Sequence, residues 1–250
     1  MGPGFGGPGG RAAAANPTKA KQRSKPSRPS LPRCRSMDVS VSRVGLGLIW
    51  CGRQWPPNNP AWQRPSDSQI DAVLRAGFAL LADADAGGAP QKLMLDTASG
   101  YGESEQRVGS WLTGNPALAS RCVLATKFGE TFDCATGDTT VCHTADGAMA
   151  QLEASALALG RPIDLFYSHI TSQLTEAEAE AVLADEELRR ALAAAKADGR
   201  VGLLGTSCSF PNVVRAALTK GWLEDITVVQ LPSKTCVAAN SQAICRCACL

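Results

Sequence analysis

With 250 residues, 44% of them apolar, the chain is long enough to bury a full hydrophobic core within one domain. No apolar run reaches the roughly 18 residues needed to span a bilayer, so the sequence reads as soluble. The net charge of +2 conceals an asymmetry: residues 1–36 hold eight Lys and Arg and no Asp or Glu, and the remainder, 17 basic against 23 acidic residues, carries −6 and offers no basic surface for nucleic acid.

The basic leader, residues 1–36, is rich in Gly, Pro and Ser, lacks apolar periodicity and is expected to be disordered. Its composition fits an organelle transit peptide, plastid or mitochondrial, and equally a plain tail on a cytoplasmic protein. Order is expected from Val39 to Gly47, an alternating strand with two glycines. A Pro-rich loop follows between Trp55 and Pro65, and Trp50, Trp55 and Trp62 around it are read as ordinary packing. Ser66 to Leu81 is a predicted helix, with Ser66 as N-cap and Asp67 in its first turn.

Leu93 to Asp96 is a short apolar strand ending in a carboxylate. The loop after it carries Tyr101 between Gly100 and Gly102, and Ser104 to Leu112 opens a helix. The alternation continues with a strand over Cys122–Lys127, a helix over Asp146–Leu159 stopped by Gly160, and a strand over Ile163–His169. Next come a helix over Glu186–Ala197, a strand over Val201–Ser207, a helix over Pro211–Thr219 with Pro at its start, and a strand over Ile226–Leu231. His143 falls in a polar insertion between Phe132 and Ala145 and is assigned no role.

Six strands in βα order predict an α/β fold with a parallel sheet, whose ligands gather beyond the carboxyl ends of the strands. Those ends carry Asp96, Lys127, His169, Ser207 and Gln230. An eight-stranded barrel needs two more units, and the 19 residues after Leu231 supply neither. Residues 39–232 are thus expected to form an incomplete barrel domain, and 233–250 an atypical Cys-rich tail. The ten cysteines are scattered and are expected to be reduced thiols. Cys245, Cys247 and Cys249 stand one residue apart, which does not fit a zinc site, and no metal is expected.

The stretch LDTASGYGESEQRVGSWL, Leu95 to Leu112, resembles the pattern of the aldo-keto reductases, in which Asp, Thr, Ala, Tyr, Gly, Ser, Glu and a later Gly recur in this order. The resemblance covers roughly residues 39–232. It implies a (β/α)8 TIM-barrel type of fold, of which about six βα units are present, and NADPH-dependent reduction of small aldehydes or ketones, with NADH the alternative cofactor. It places the proton donor at Tyr101, its lysine at Lys127, the aspartate paired to that lysine at Asp96, and the carbonyl-orienting histidine at His169. Ser207 and Gln230 fall at positions that hold the nicotinamide carboxamide. Cys208 stands where relatives carry Asn, and thiols are poor hydrogen-bonding groups. Relatives bind the adenine and phosphates mainly through the last two βα units, so cofactor affinity is expected to be weak. The alternative reading is an inert fragment or regulatory binding module of the same fold.

The chemistry of such a set is independent of the name. A free tyrosine titrates at about pH 10 and is a slow acid at neutral pH, and a neighbouring cation favours its phenolate. Lys127 supplies that cation, and Asp96 is the natural counter-charge for a lysine buried at a barrel mouth. A tyrosine and a histidine together place two donors on one carbonyl oxygen.

Overall fold

The structure, a computed structural model, describes Met1 and residues 41–42, 45–56, 60–85 and 91–231. The leader beyond Met1 and the tail 233–250 lie outside the described residues.

The elements run β1 (Leu46–Gly47), α1 (Ile49–Gly52), α2 (Asp67–Asp85), β2 (Leu93–Asp96), a 3-10 turn (Ser99–Tyr101), α3 (Ser104–Gly114), α4 (Pro116–Ala119) and β3 (Cys122–Phe128). A hairpin of β4 (Glu130–Phe132) and β5 (Thr139–Val141) follows. Then come α5 (Ala145–Leu159), β6 (Ile163–Ile170), α6 (Glu176–Ala184), α7 (Glu186–Ala197), β7 (Val201–Cys208), α8 (Pro211–Thr219) and β8 (Ile226–Gln230).

Six strands form one sheet in the order β1-β2-β3-β6-β7-β8, every pair parallel. Each strand is laid beside its predecessor, so spatial order follows chain order. That is the winding of a (β/α)8 barrel, here with six βα units. Helices between the strands make the crossovers that parallel pairing requires.

Side chains alternate across the sheet, and this alternation decides which residues meet. Met94, Ala125, Leu165, Tyr167, Leu203 and Val228 pack together on one face. Leu93, Leu95, Leu124, Phe166 and Leu204 face the other way, into the main core with Leu152, Leu159, Leu188 and Leu192 of the helices. Because both faces are covered, β3 is buried at all seven of its residues. On the inner face Lys127 pairs in register with Tyr167, Tyr167 with Gly205, and Gly205 with Val228. A Cβ on Gly205 would lie 2.3 Å from the Tyr167 ring, so the glycine makes room for the largest side chain of that layer.

Helix ends follow capping chemistry. Thr144 accepts from the Gly147 amide at the start of α5, which stops at Gly160 with φ 67 in the left-handed region. Asp185 caps α7 by accepting from Leu188 N. Ser66 Oγ accepts from Gln69 N while Gln69 Oε1 accepts from Ser66 N, fixing the start of α2.

The structure departs from the sequence reading at four places. Of the strand expected over Val39–Gly47, the described residues show only β1 and a single bridge from Val41 to Lys92. The polar insertion is a hairpin, Glu130 opposite Val141 and Phe132 opposite Thr139. Helix α6 escapes the periodicity test because only Ala179 and Leu183 of its nine residues are buried; its signal was the capping box of Thr175 and Glu178. Among the tryptophans, Trp50 packs against the core, whereas Trp55 is largely exposed.

Candidate active site

Asp96 closes β2, and the chain turns at once through Ser99–Tyr101. Gly102 leaves that turn at φ 61, where a Cβ would also lie 2.6 Å from the Gly52 oxygen, so glycine is required after the tyrosine. Arg53 Nη1 donates to Gly100 O at 2.8 Å, and Ser99 Oγ donates to Glu130 O at 2.7 Å. The turn is thereby tied on one side to the segment after β1 and on the other to the hairpin.

Lys127 projects inward from β3 and is 1% exposed. An ammonium has three protons, and here each has an acceptor: Asp96 Oδ1 at 2.7 Å, Thr97 O at 3.0 Å and Tyr101 Oη at 3.0 Å. Since Tyr101 Oη accepts from Lys127, the phenolic proton points elsewhere. Burial by itself pulls the Lys127 pKa down, but the Asp96 carboxylate and Tyr101 more than reverse this, and the group sits above the ordinary lysine value. It is a cation throughout the physiological range.

His169, on β6, meets Tyr101 edge to face, with ring centroids 5.9 Å apart. Burial, then the charges of Lys127, His143 and Arg53, push its imidazole well below the ordinary histidine value. Ser207 is the register partner of both His169 and Gln230, so the three stand side by side on one face at the ends of β6, β7 and β8. Gln230 Nε2 donates to Asp96 Oδ2 at 3.0 Å. Asp96, Tyr101, Lys127 and Gln230 thus form one hydrogen-bonded set, with His169 and Ser207 beside it. Cys208 points to the opposite face, where it is buried and receives a hydrogen bond from Phe210 N at 3.4 Å. It contributes no group to the strand ends.

A family model, the aldo/keto reductase family, matches residues 43–247. The chain belongs to the aldo/keto reductase family. No curated protein matches it. Among solved structures, it is similar to an aldo-keto reductase assignment from Pseudomonas aeruginosa at 26% identity and TM-score 0.56, over 77% of this chain and 63% of that one. An aldo-keto reductase from Bacillus halodurans in its holo form is 21% identical with TM-score 0.54, covering 80% and 57%. A glycerol dehydrogenase from Gluconobacter oxydans is 23% identical with TM-score 0.53, covering 80% and 54%. These last two share the fold. The chain spans less than two thirds of the length of each of these three structures.

Against this family frame, three residues around the inner set were passed over in the sequence. Glu130 is buried, with its Oε2 3.6 Å from His169 Nδ1. His143 Nε2 donates to the backbone oxygen of His169 at 2.9 Å. The Arg53 guanidinium lies 4.1 Å from the centroid of the Phe132 ring. The hairpin brings in Glu130 and Phe132, and a polar insertion without periodicity gave no sign of where it folds back. A groove of about 200 Å³ lined by Leu152, Leu157, Arg161 and Arg200 lies at the opposite, amino ends of the strands, away from these groups. Among the described residues no helix is long and apolar enough to cross a membrane, and no cluster of His, Cys, Asp and Glu would hold a metal ion.

Proposed function

We propose that this chain reduces small aldehydes or ketones with NADPH, Tyr101 giving the proton to the carbonyl oxygen. The observation that supports this most directly is the saturation of Lys127: its three protons are committed to Asp96, Thr97 O and Tyr101 Oη, and because Tyr101 Oη accepts from the lysine, its own phenolic proton is turned away from Lys127. A bound nicotinamide supplies the hydride to the carbonyl carbon. The residues fit that group at one point: the Ser207 hydroxyl has no partner among the described residues and lies in register with Gln230, so the two would hold the carboxamide.

Tyr101 transfers its proton to the oxygen as that atom becomes an alkoxide, and the carbonyl compound leaves as an alcohol. The negative charge left on Tyr101 Oη faces the buried Lys127 ammonium at 3.0 Å, a fixed charge that stabilises it more than bulk water would. Asp96 keeps Lys127 in that position, and Gln230 holds the second oxygen of Asp96. His169 borders the same place and orients the bound compound. Solvent returns the proton to Tyr101.

The test is fluorescence titration of the full chain with NADPH, followed by NADPH oxidation with a panel of aldehydes. Saturable binding with turnover that disappears in Tyr101→Phe is the expected outcome. A folded chain that neither binds NADPH nor NADH would make the fold a binding module instead.

A further inference from the structure

The stretch between Asp96 and Glu105 supplies Thr97 and Ser104 as well as Tyr101, and the chemistry above gives neither hydroxyl a role. The two residues flank the turn that carries Tyr101: Thr97 follows the end of β2, and Ser104 opens α3. Their hydroxyls meet at 2.9 Å, and both residues are wholly buried. Ser104 Oγ also lies 2.8 Å from the backbone oxygen of Leu48. A carbonyl only accepts and a hydroxyl has a single proton, so Ser104 donates to Leu48 and Thr97 donates to Ser104. The direction of the chain of bonds is therefore fixed. It is continued by Leu48 N, which donates to Asp96 O at 2.9 Å. The segment after β1 closes on the same spot because of Gly52, where a Cβ would lie 2.0 Å from Tyr101 O and 2.2 Å from Ser104 N.

The backbone of Thr97 faces the reaction. Its oxygen accepts from Lys127 Nζ at 3.0 Å, and the same ammonium donates to Tyr101 Oη at 3.0 Å. Its N–H donates to Ala125 O of β3 at 2.9 Å. We propose that the Thr97–Ser104 bond closes the neck of the Tyr101 turn and so sets the distance between Lys127 and Tyr101, with Thr97 and Ser104 as positioning residues. This rests on the reductase reading above. One bond serves both partners. It anchors the residue whose oxygen steers the ammonium, and it joins the two ends of the turn that delivers the phenol. Without it the turn is free to open, and a displacement of about 1 Å between acting groups costs about a hundredfold in rate.

Thr97→Val in the full chain is the test, because it exchanges the hydroxyl for a methyl group of nearly the same shape. A buried ammonium with every proton bonded exchanges those protons slowly, so Lys127 gives an observable proton–nitrogen-15 signal at neutral pH. Contacts to the Tyr101 ring, whose centroid is 4.5 Å from Nζ, assign it. In Thr97→Val the exchange is expected to quicken about tenfold, and kcat to fall about tenfold while the Kd for NADPH stays within about twofold. Thr97→Ser, which keeps the hydroxyl, matches the unaltered protein in both. Ser104→Ala breaks the neck from its other side and gives the same quickened exchange. A bond that only stabilised the fold would lower the denaturation midpoint of Thr97→Val but leave exchange and kcat unchanged, and that result overturns the proposal. So does fast exchange of the Lys127 ammonium in the unaltered protein. If Thr97→Val does not fold, Thr97→Ser and Ser104→Ala decide, and equal exchange in those two overturns it. Absence of turnover with the exchange pattern as expected would remove the reductase reading and leave the closed neck standing.

Discussion

Gln230 Nε2 donates to Asp96 Oδ2 at 3.0 Å, linking side chains 134 residues apart on strands that are not neighbours in the sheet. The bond crosses the inner face from β8 to β2, which requires the sheet to curl as a barrel does. It also occupies the carboxylate oxygen that Lys127 leaves free.

Replacing Gln230 by Leu strands that oxygen in a site where Asp96 is 6% exposed. The expected loss is about 1–3 kcal/mol of unfolding free energy, the cost of an unmade buried hydrogen bond. Urea denaturation followed by circular dichroism measures it, and a loss near zero would mean that water takes the place of the amide.

Lys127 and Asp96 form a buried ion pair, and removing one partner leaves the other charge unpaired. Lys127→Met is expected to lose about 3–5 kcal/mol along with all turnover. The double variant Lys127→Met with Asp96→Leu should be more stable than Lys127→Met alone, while remaining inactive. A double variant that is less stable than the single would show that packing, and not the stranded charge, sets the cost.

Gly205→Ala drives a methyl group into the Tyr167 ring at 2.3 Å. Overpacking of this kind costs about 1–3 kcal/mol. The effect should appear as a lower denaturation midpoint with an unchanged m-value, because the unfolded chain is hardly altered.

His169 and His143 are both held below the ordinary histidine value, burial being the largest cause in each. The folded state therefore binds fewer protons than the unfolded chain once pH falls below about 6.5, the unfolded histidine value. Stability contributed by the neutral rings is complete above that pH and is lost as pH falls towards the folded values. Thermal midpoints between about pH 8 and pH 5 should drop in the unaltered protein and drop less in His169→Gln. Equal slopes in the two proteins would remove His169 from the account.

The sequence by itself determined where the strands end and what stands there. Apolar runs closed by Asp96, Lys127 and His169 mark the carboxyl ends of β2, β3 and β6 because a strand buried on both faces admits a charge only where it emerges. The order of strands was equally legible, since βα alternation and short connections leave few other windings. Tertiary structure alone decided which of these groups touch. Neither the bond from Gln230 to Asp96 nor the approach of Glu130 to His169 has a local signature: each depends on strand register, on the alternation of side chains across a curled sheet, and on the direction in which the hairpin folds back. A hydrogen bond is satisfied over a few tenths of an ångström, whereas periodicity in a sequence specifies only the face on which a residue lies.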